Sequence, residues 1–350
     1  MKTVNDVKKY TRINIAGDEV RRALDRLAKS GVATMEAINC IRWFYNHAMD
    51  AGMGWRDAAQ ILGVDAAAVY ALLCGRYAGD YDAVTDKIDR YRAKCITEEM
   101  KCGYVETSTW ERVSAVCRHA RVMHKAAIIY GASQIGKTSA FEEMRRRDMT
   151  GLVKLIRMPA APTLARMQIA FAQAFNLSLQ ISREKIRSRI IGAITPDTLI
   201  MVDEVHQAII GASRKQSVKV YEWMREVQDL TKCGMVYAGT NVFRDELEMG
   251  KMAGVLDQFR RRGCIPPLRL PDTPPMSDIV KIAAAFGLGA PEGDALDIAK
   301  RMIASSGLGQ YVSFLQSAKN IAANKKQEIV WRHFVMAYDT IQSLSLTPKE

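Results

Sequence analysis

One stretch limits the folds open to this chain more than any other: Ala126-Ala127-Ile128-Ile129-Tyr130-Gly131-Ala132-Ser133-Gln134-Ile135-Gly136-Lys137-Thr138. Gly131, Gly136, Lys137 and Thr138 satisfy G-x-x-x-x-G-K-[ST], the spacing of a phosphate loop. The apolar run before the loop reads as a buried strand. Ser139 to Arg145 reads as a helix that opens right after the lysine. Strand, loop and helix in that order point to an α/β fold with a parallel sheet. The glycines let the backbone N–H groups of residues Gly131, Ala132, Ser133, Gln134, Ile135 and Gly136 curl toward phosphate oxygens. Lys137 is expected to reach the β- and γ-phosphates of a nucleotide. The Thr138 hydroxyl is expected to ligate Mg²⁺.

Leu199-Ile200-Met201-Val202-Asp203-Glu204 is the second anchor. Its apolar residues read as a buried parallel strand with two carboxylates at the C-terminal end, where ligands bind in open α/β sheets. Asp203 is expected to hold Mg²⁺ through water, and Glu204 to polarise the attacking water. Met235 to Asn241 reads as a further buried strand with a polar end. Thr240 or Asn241 would sense the γ-phosphate or orient the water, or else cap a loop. Phe259-Arg260-Arg261-Arg262-Gly263 follows a helix and precedes a strand expected from Ile265 to Leu270. Arg261 or Arg260 suits an arginine finger acting in trans on a neighbour's ATP; a solvated basic turn is the other reading.

The flanks of this core read as helical. Val20, Leu24 and Leu27 share one helix face, and Gly31 ends it. A second helical pattern starts near Met35. From about 55 to 75, one helix ends at Gly63 and another is capped by Asp65, which is the pattern of a helix-turn-helix or of an ordinary helical hairpin. The second helix offers Ala66, Ala67, Tyr70 and Ala71 outward. None of these can fork onto a base edge, so this module is expected not to read a DNA sequence. Past the core strands, a helix from Ser182 interleaves Arg183, Lys185, Arg187 and Arg189 with Ile186, Ile190 and Ile191. It is either a solvated basic face or a DNA-phosphate-contacting one. Prolines 266, 267, 271, 274 and 275 punctuate the exit into a helical region, 276–342.

Charge distribution sharpens the reading. The chain of 350 residues carries a net charge of +12. Residues 1–100 hold 15 Lys+Arg against 14 Asp+Glu, so nearly all of the excess lies with the nucleotide-binding part. A polyanion partner is the natural inference. No apolar run approaches a membrane span and the start is not a signal peptide, so no membrane partner and a cytoplasmic location are expected. The seven cysteines show no C-x-x-C spacing and read as free thiols in a reducing compartment.

Phosphate loop, carboxylate pair, polar-ended sensor strand, arginine cluster and trailing helical region together resemble AAA+ ATPases. With the N-terminal helix-turn-helix, the order resembles the MuB, TnsC and IstB family of transposition ATPases. The resemblance runs from about Cys40 to the end. It includes Gly75-Arg76-Tyr77-Ala78-Gly79-Asp80 and Val105-Glu106-Thr107. The fold it implies is an α/β P-loop AAA+ parallel sheet flanked by helices. An all-α N-terminal helix-turn-helix domain precedes it, and a small C-terminal helical lid follows. The expected boundaries are 1–98, 99–272 and 273–350. The implied function is an ATP- and Mg²⁺-dependent ATPase that binds duplex DNA largely without sequence preference. It would self-associate into an ATP-dependent oligomer or helical filament, deliver target DNA to a transposase and stimulate strand transfer. The sequence departs from the family in the lid, where Gly307-Leu308-Gly309-Gln310 offers Gln310 in place of a second-sensor arginine. Residues 1–35 read as an extra piece. Two other readings compete. Asp203-Glu204-Val205-His206 spells the DExH box of a superfamily-2 helicase, but too little chain follows for a second motor domain. A signalling or remodelling ATPase of AAA+/STAND type would use its N-terminal module to bind protein.

Overall fold

A computed structural model describes residues 12–345, apart from 101–102, 181, 251–253, 255–256, 258–260, 262 and 264. The chain begins with helices α1 (Gly17–Ser30) and α2 (Met35–Asp50). Val20, Ala23, Leu24 and Leu27 give α1 its buried stripe, as the 3.6-residue period requires. Thr34 starts α2 by accepting a hydrogen bond from the Ala37 N–H. Helices α3 (Trp55–Leu62) and α4 (Ala66–Leu73) are joined through Gly63, Val64 and Asp65, and the Asp65 carboxylate caps α4 at 2.7 Å from the Ala68 N–H. Helix α5 (Tyr81–Met100) closes this layer over a core that includes Ile41, Phe44, Leu62, Leu72 and Ile88.

Helix α6 (Ser108–Met123), capped by Thr107, leads into the sheet. The strands are β1 (Ala126–Tyr130), β2 (Val153–Arg157), β3 (Leu199–Asp203), β4 (Gly234–Gly239) and β5 (Leu268–Arg269). All pair in parallel, in the order β2-β3-β4-β1-β5. Every residue of β1, β3 and β4 is buried, as expected of strands covered on both faces. Alternate residues face opposite layers. Ile128, Ile200, Val202 and Tyr237 pack with α8 (Leu164–Ala174), α9 (Arg183–Ala193) and α11 (Arg214–Thr231). Ile129, Met201, Val236 and Ala238 pack with α6 and with α7 (Lys137–Arg147). Short helix α10 (Gln207–Ile210) precedes α11, and α12 (Asn241–Met249) follows β4. Because all strands run in parallel, the ends of β1, β2, β3 and β4 meet at one edge of the sheet, which is where the chemistry-bearing residues lie.

The strand expected over Ile265–Leu270 is shorter than its apolar pattern implied. Only Leu268 and Arg269 pair with β1, and Gly263 makes a separate bridge to Ala126. Pro266 and Pro267 have no N–H to give the ladder, which interrupts it between those points. The C-terminal helices α13 (Met276–Ala285), α14 (Gly293–Ser306), α15 (Leu308–Asn324) and α16 (Trp331–Ser345) bury their own cluster, including Ile279, Met302, Tyr311, Phe314 and Phe334. Asp278 ties this lid to the start of α6, accepting from the Ser108 N–H at 3.0 Å and the Ser108 hydroxyl at 2.6 Å.

The N-terminal helices dock on the β2 edge through polar contacts centred on Asn46. Its carbonyl accepts from Lys154 Nζ at 3.2 Å and from Asn176 Nδ2 at 3.4 Å, and its amide donates to the Gly151 carbonyl at 3.2 Å. Asp50 pairs with Arg145 at 3.3 Å. Cavities of about 770 and 470 Å³ flank this seam.

Candidate functional site

The loop after β1 takes the shape its sequence demands. Gly136 sits at φ +100°, open to glycine and strained for other residues, and α7 starts directly after it. Ile135 is buried and pins the loop, while Ser133 and Gln134 stay exposed. Lys137 folds its ammonium back onto the loop, donating to the Gly131 carbonyl at 2.9 Å and the Ala132 carbonyl at 2.7 Å. Burial lowers its pKa, against an opposing pull from Asp203 and Glu204. Thr138 donates from Oγ1 to Asp203 Oδ2 at 2.6 Å. The two residues read from sequence as the Mg²⁺ ligands are therefore in direct contact.

Glu204 follows at φ +58°, a left-handed conformation that is uncommon for a residue with a side chain. Its N–H donates to Asp203 Oδ1 at 2.9 Å, and its carboxylate lies 3.2 Å from His206 Nε2. His206 is buried, and burial pushes its pKa down. At the end of β4, Thr240 Oγ1 and Asn241 Oδ1 are buried with no hydrogen-bond partner among the described residues. The Asn241 amide donates to Asp272 at 3.3 Å. Two orphaned oxygens beside a phosphate loop fit a phosphate and its attacking water, since a buried polar atom left unpaired is costly. The structure thus brings together the residues 131–138, Asp203 and Glu204, with Thr240 and Asn241 at the same edge.

Other sequence expectations fall elsewhere. Arg260 lies outside the described residues. Arg261 is exposed and pairs with Asp257 at 2.5 Å. It precedes Gly263, which bridges Ala126 at the start of β1, so it sits at the opposite end of that strand from the phosphate loop. On α9, the Arg183 side chain is outside the described residues, and Lys185 is exposed. Arg187 pairs with Glu226, and Arg189 reaches Asp18 of α1 at 3.7 Å. Those two arginines are occupied within the chain. Gln310 stands in the first turn of α15, but the lid touches the phosphate loop through main chain: the Leu308 N–H donates to the Gln134 carbonyl at 3.1 Å. A Cβ on Gly307 would come within 2.7 Å of Gln134 Cβ, so this approach requires glycine.

Sequence reasoning missed a second basic surface. Arg157 ends β2, Arg166 opens α8, and Arg214, Lys215 and Lys219 open α11; all are exposed. Arg157, Arg214, Lys215 and Lys219 have no carboxylate partner among the described residues. Their loops touch, since a Cβ on Gly211 would meet the Ala160 carbonyl at 1.9 Å. Ile210, next to Gly211, is 62% exposed. No periodic signal marked this surface, because its residues come from three separate segments. On α4, Ala66, Ala67, Tyr70 and Ala71 are half-buried, exposed Arg56 and Arg76 lie on either side, and Lys87 Nζ stands beside the Gly63 turn.

Residues 92–251 match the family model of the bacterial TniB protein. The chain is 23% identical over 201 residues to the Mu-like prophage FluMu DNA transposition protein B of Haemophilus influenzae, covering 56% of this chain and 67% of that protein. Among solved structures, the RuvB Holliday junction branch migration motor of Thermotoga maritima aligns at 12% identity and a TM-score of 0.38, over 66% of this chain and 68% of that one. The FIGL-1 AAA domain in complex with ADP aligns at 11% identity and a TM-score of 0.38, over 70% of this chain and 80% of that one. The family match and the prophage relative agree with the sequence motifs: the chain is similar to MuB/TniB-type transposition ATPases. No helix among the described residues is long and apolar enough to cross a membrane.

Proposed function

We propose that this chain is a transposition ATPase that binds ATP with Mg²⁺, assembles on duplex target DNA without reading its sequence, and delivers that DNA to a transposase. The observation that carries this reading is the Thr138–Asp203 contact at 2.6 Å, with the orphaned oxygens of Thr240 and Asn241 at the same edge. A hydroxyl and a carboxylate so placed are a hard oxygen donor set of the kind Mg²⁺ takes from protein, with phosphate and water filling the rest. Thr138 and Asp203 would hold the ion, which neutralises charge on the phosphates when bound. Lys137 exchanges two backbone carbonyls for phosphate oxygens. Asn241 Oδ1 accepts from the attacking water and orients it, and the Thr240 hydroxyl donates to the terminal phosphate. Glu204 polarises the water.

The DNA part of the reading rests on charge. Arg157, Arg166, Arg214, Lys215 and Lys219 make an exposed cationic edge beside the catalytic strands, suited to phosphate contacts that carry no sequence information. Self-association is supported by the place of Arg261, two residues before the Gly263 bridge to the start of β1 and so at the opposite end of that strand from its own phosphate loop. A second reading has its own observation: the apolar face of Ala66, Ala67, Tyr70 and Ala71 suits a protein partner, as in a signalling or remodelling AAA+/STAND-type ATPase.

ATP hydrolysis by the full chain, with and without random-sequence duplex DNA, separates the two, with Lys137→Ala as the inactive control. Electron microscopy with duplex DNA, with and without ATP, reads assembly directly. Hydrolysis indifferent to DNA, with no ATP-dependent assemblies, would overturn the DNA-delivery reading and favour the protein-binding one.

A further inference from the structure

The seam between the N-terminal helices and the β2 edge holds more positive charge than it pairs. A charge taken out of water is normally matched by an opposite one, because an unmatched charge keeps its desolvation cost. In the seam cavity of about 470 Å³ the match is incomplete: Arg21, Arg42, Arg121 and Lys154 line it against Asp25 and Asp197. Arg21 pairs with Asp25 at 3.1 Å, and Arg121 lies 3.6 Å from Asp148. Arg42 and Lys154 have no carboxylate partner among the described residues. Arg42 Nη1 donates to Asn39 Oδ1 at 2.9 Å and to the Thr150 carbonyl at 3.3 Å. Lys154 Nζ donates to Asn46 Oδ1 and stands 5.6 Å from the centre of the Phe175 ring. All of these acceptors are neutral, so packing alone gives no reason for two cations here. Burial pushes the pKa of both groups down, further than the surrounding carboxylates pull it up. Arg21 adds a donor, since its Nε is buried with no partner among the described residues.

The backbone brings these groups to one place. Arg42 and Asn46 stand one turn apart on the same face of α2. Gly151, at φ +67°, lies against both: a Cβ there would come within 2.4 Å of Asn46 Nδ2 and 3.1 Å of Arg42 Cγ. Val20, Leu24 and Phe175 give the cavity an apolar wall. A concave site with an apolar wall and a few convergent polar groups is the usual form of a small-molecule site. It is also apart from the hydrolytic one. Gly151 and Lys154 lie at the start of β2, whereas Asp203 and the phosphate loop lie at the far ends of their strands.

We propose that this cavity binds a small organic phosphate, with its dianion between Arg42 and Lys154 and its body on the Val20, Leu24 and Phe175 wall. A guanidinium and an ammonium supply two positive charges, which match a phosphate dianion better than a single carboxylate. Arg21 Nε is the further donor for a third oxygen. Because α1, α2 and the start of β2 all contribute to the cavity, a bound ligand ties the N-terminal helices to the sheet.

The test uses the full chain without nucleotide, and the probes are inorganic phosphate, phenyl phosphate and benzoate, each against chloride at matched ionic strength. Calorimetric titration gives affinity, and the melting temperature should rise with probe as binding to the folded state requires. Phenyl phosphate is expected to bind more tightly than inorganic phosphate, because its ring covers the apolar wall, and more tightly than benzoate, which carries one charge. Arg42→Gln and Lys154→Met should each weaken phenyl phosphate by roughly tenfold or more, the worth of a hydrogen bond to a charged group. The phosphate loop takes phosphate as well, so Lys137→Ala is run beside them and should keep the seam affinity. If Arg42→Gln does not fold, Lys154→Met alone decides the matter. Binding lost in Lys137→Ala and kept in the folded seam variants would overturn the proposal, as would no saturable response to millimolar phenyl phosphate. Benzoate binding as tightly as phenyl phosphate would overturn the assignment of a phosphate.

Discussion

Thr138 Oγ1 donates to Asp203 Oδ2 across 2.6 Å, joining the loop after β1 to the end of β3 although β4 lies between those strands. The contact spans two strand widths, and the reach is possible because the helix after the phosphate loop starts over the sheet edge. The two residues proposed to hold Mg²⁺ are thereby held together by the fold, which would lower the ordering cost of binding.

Glu204→Gln should separate binding from hydrolysis. The amide leaves Thr138 and Asp203 in contact, but it cannot take up a proton from water. ATP affinity is expected to stay within a few-fold of wild type, while turnover falls by about 10² to 10⁴. DNA complexes formed in ATP should live longer. Nucleotide titration and steady-state hydrolysis on the same sample check both halves.

Arg261→Ala should keep ATP binding by the monomer and lose hydrolysis, by roughly 10³ to 10⁵ if it acts as a finger. Its place at the far end of β1 from its own phosphate loop supports a neighbour's site as the one it would reach. Mixing this variant with Glu204→Gln protein gives interfaces in which both missing parts are supplied. Recovered turnover in the mixture is the expected result. If none returns, Arg260 is the next substitution to make.

DNA affinity should depend steeply on salt, and most of that dependence should reside on the edge formed by Arg157, Arg214, Lys215 and Lys219. Each phosphate contact contributes about 0.9 to the slope of log affinity against log salt. Neutralising the four should flatten the slope and weaken all sequences alike, measured at saturating ATP with assembly scored separately. Neutralising Arg187 and Arg189 should change the slope less, because Glu226 and Asp18 already hold them.

Lys154 gives the N-terminal seam a pH signature. Burial pushes its pKa from the ordinary 10.5 down to about 8. Between those values the unfolded chain holds the extra proton, so this residue's contribution to stability rises as pH climbs from about 8 toward 10.5. Wild type should therefore gain on Lys154→Met over that window, and melting temperatures of the pair at pH 7 and pH 10 measure the gain. A constant difference would mean that the ammonium is not desolvated by the seam.

What the sequence determined by itself was local. The phosphate loop, the helix cap at Asp65 and the buried apolar runs of β1, β3 and β4 all follow from signals a few residues apart. Such signals survive without knowledge of the fold, because hydrogen bonds between neighbours and side-chain periodicity act over one or two turns. Asp203 and Glu204 were legible for the same reason, as polar residues closing an apolar run. Only the tertiary structure decided which separate segments meet. It placed β4 between β1 and β3, set Glu204 beside His206, and paired Arg187 with Glu226 and Arg189 with Asp18. It also assembled the basic edge from Arg157, Arg166 and the start of α11, and set the Leu308 N–H on the Gln134 carbonyl where a lid arginine was missing. These contacts join residues distant in the chain, and they depend on the packing of whole layers. A basic residue in a sequence is a charge without a direction; the fold decides whether an acid, a base edge or water receives it.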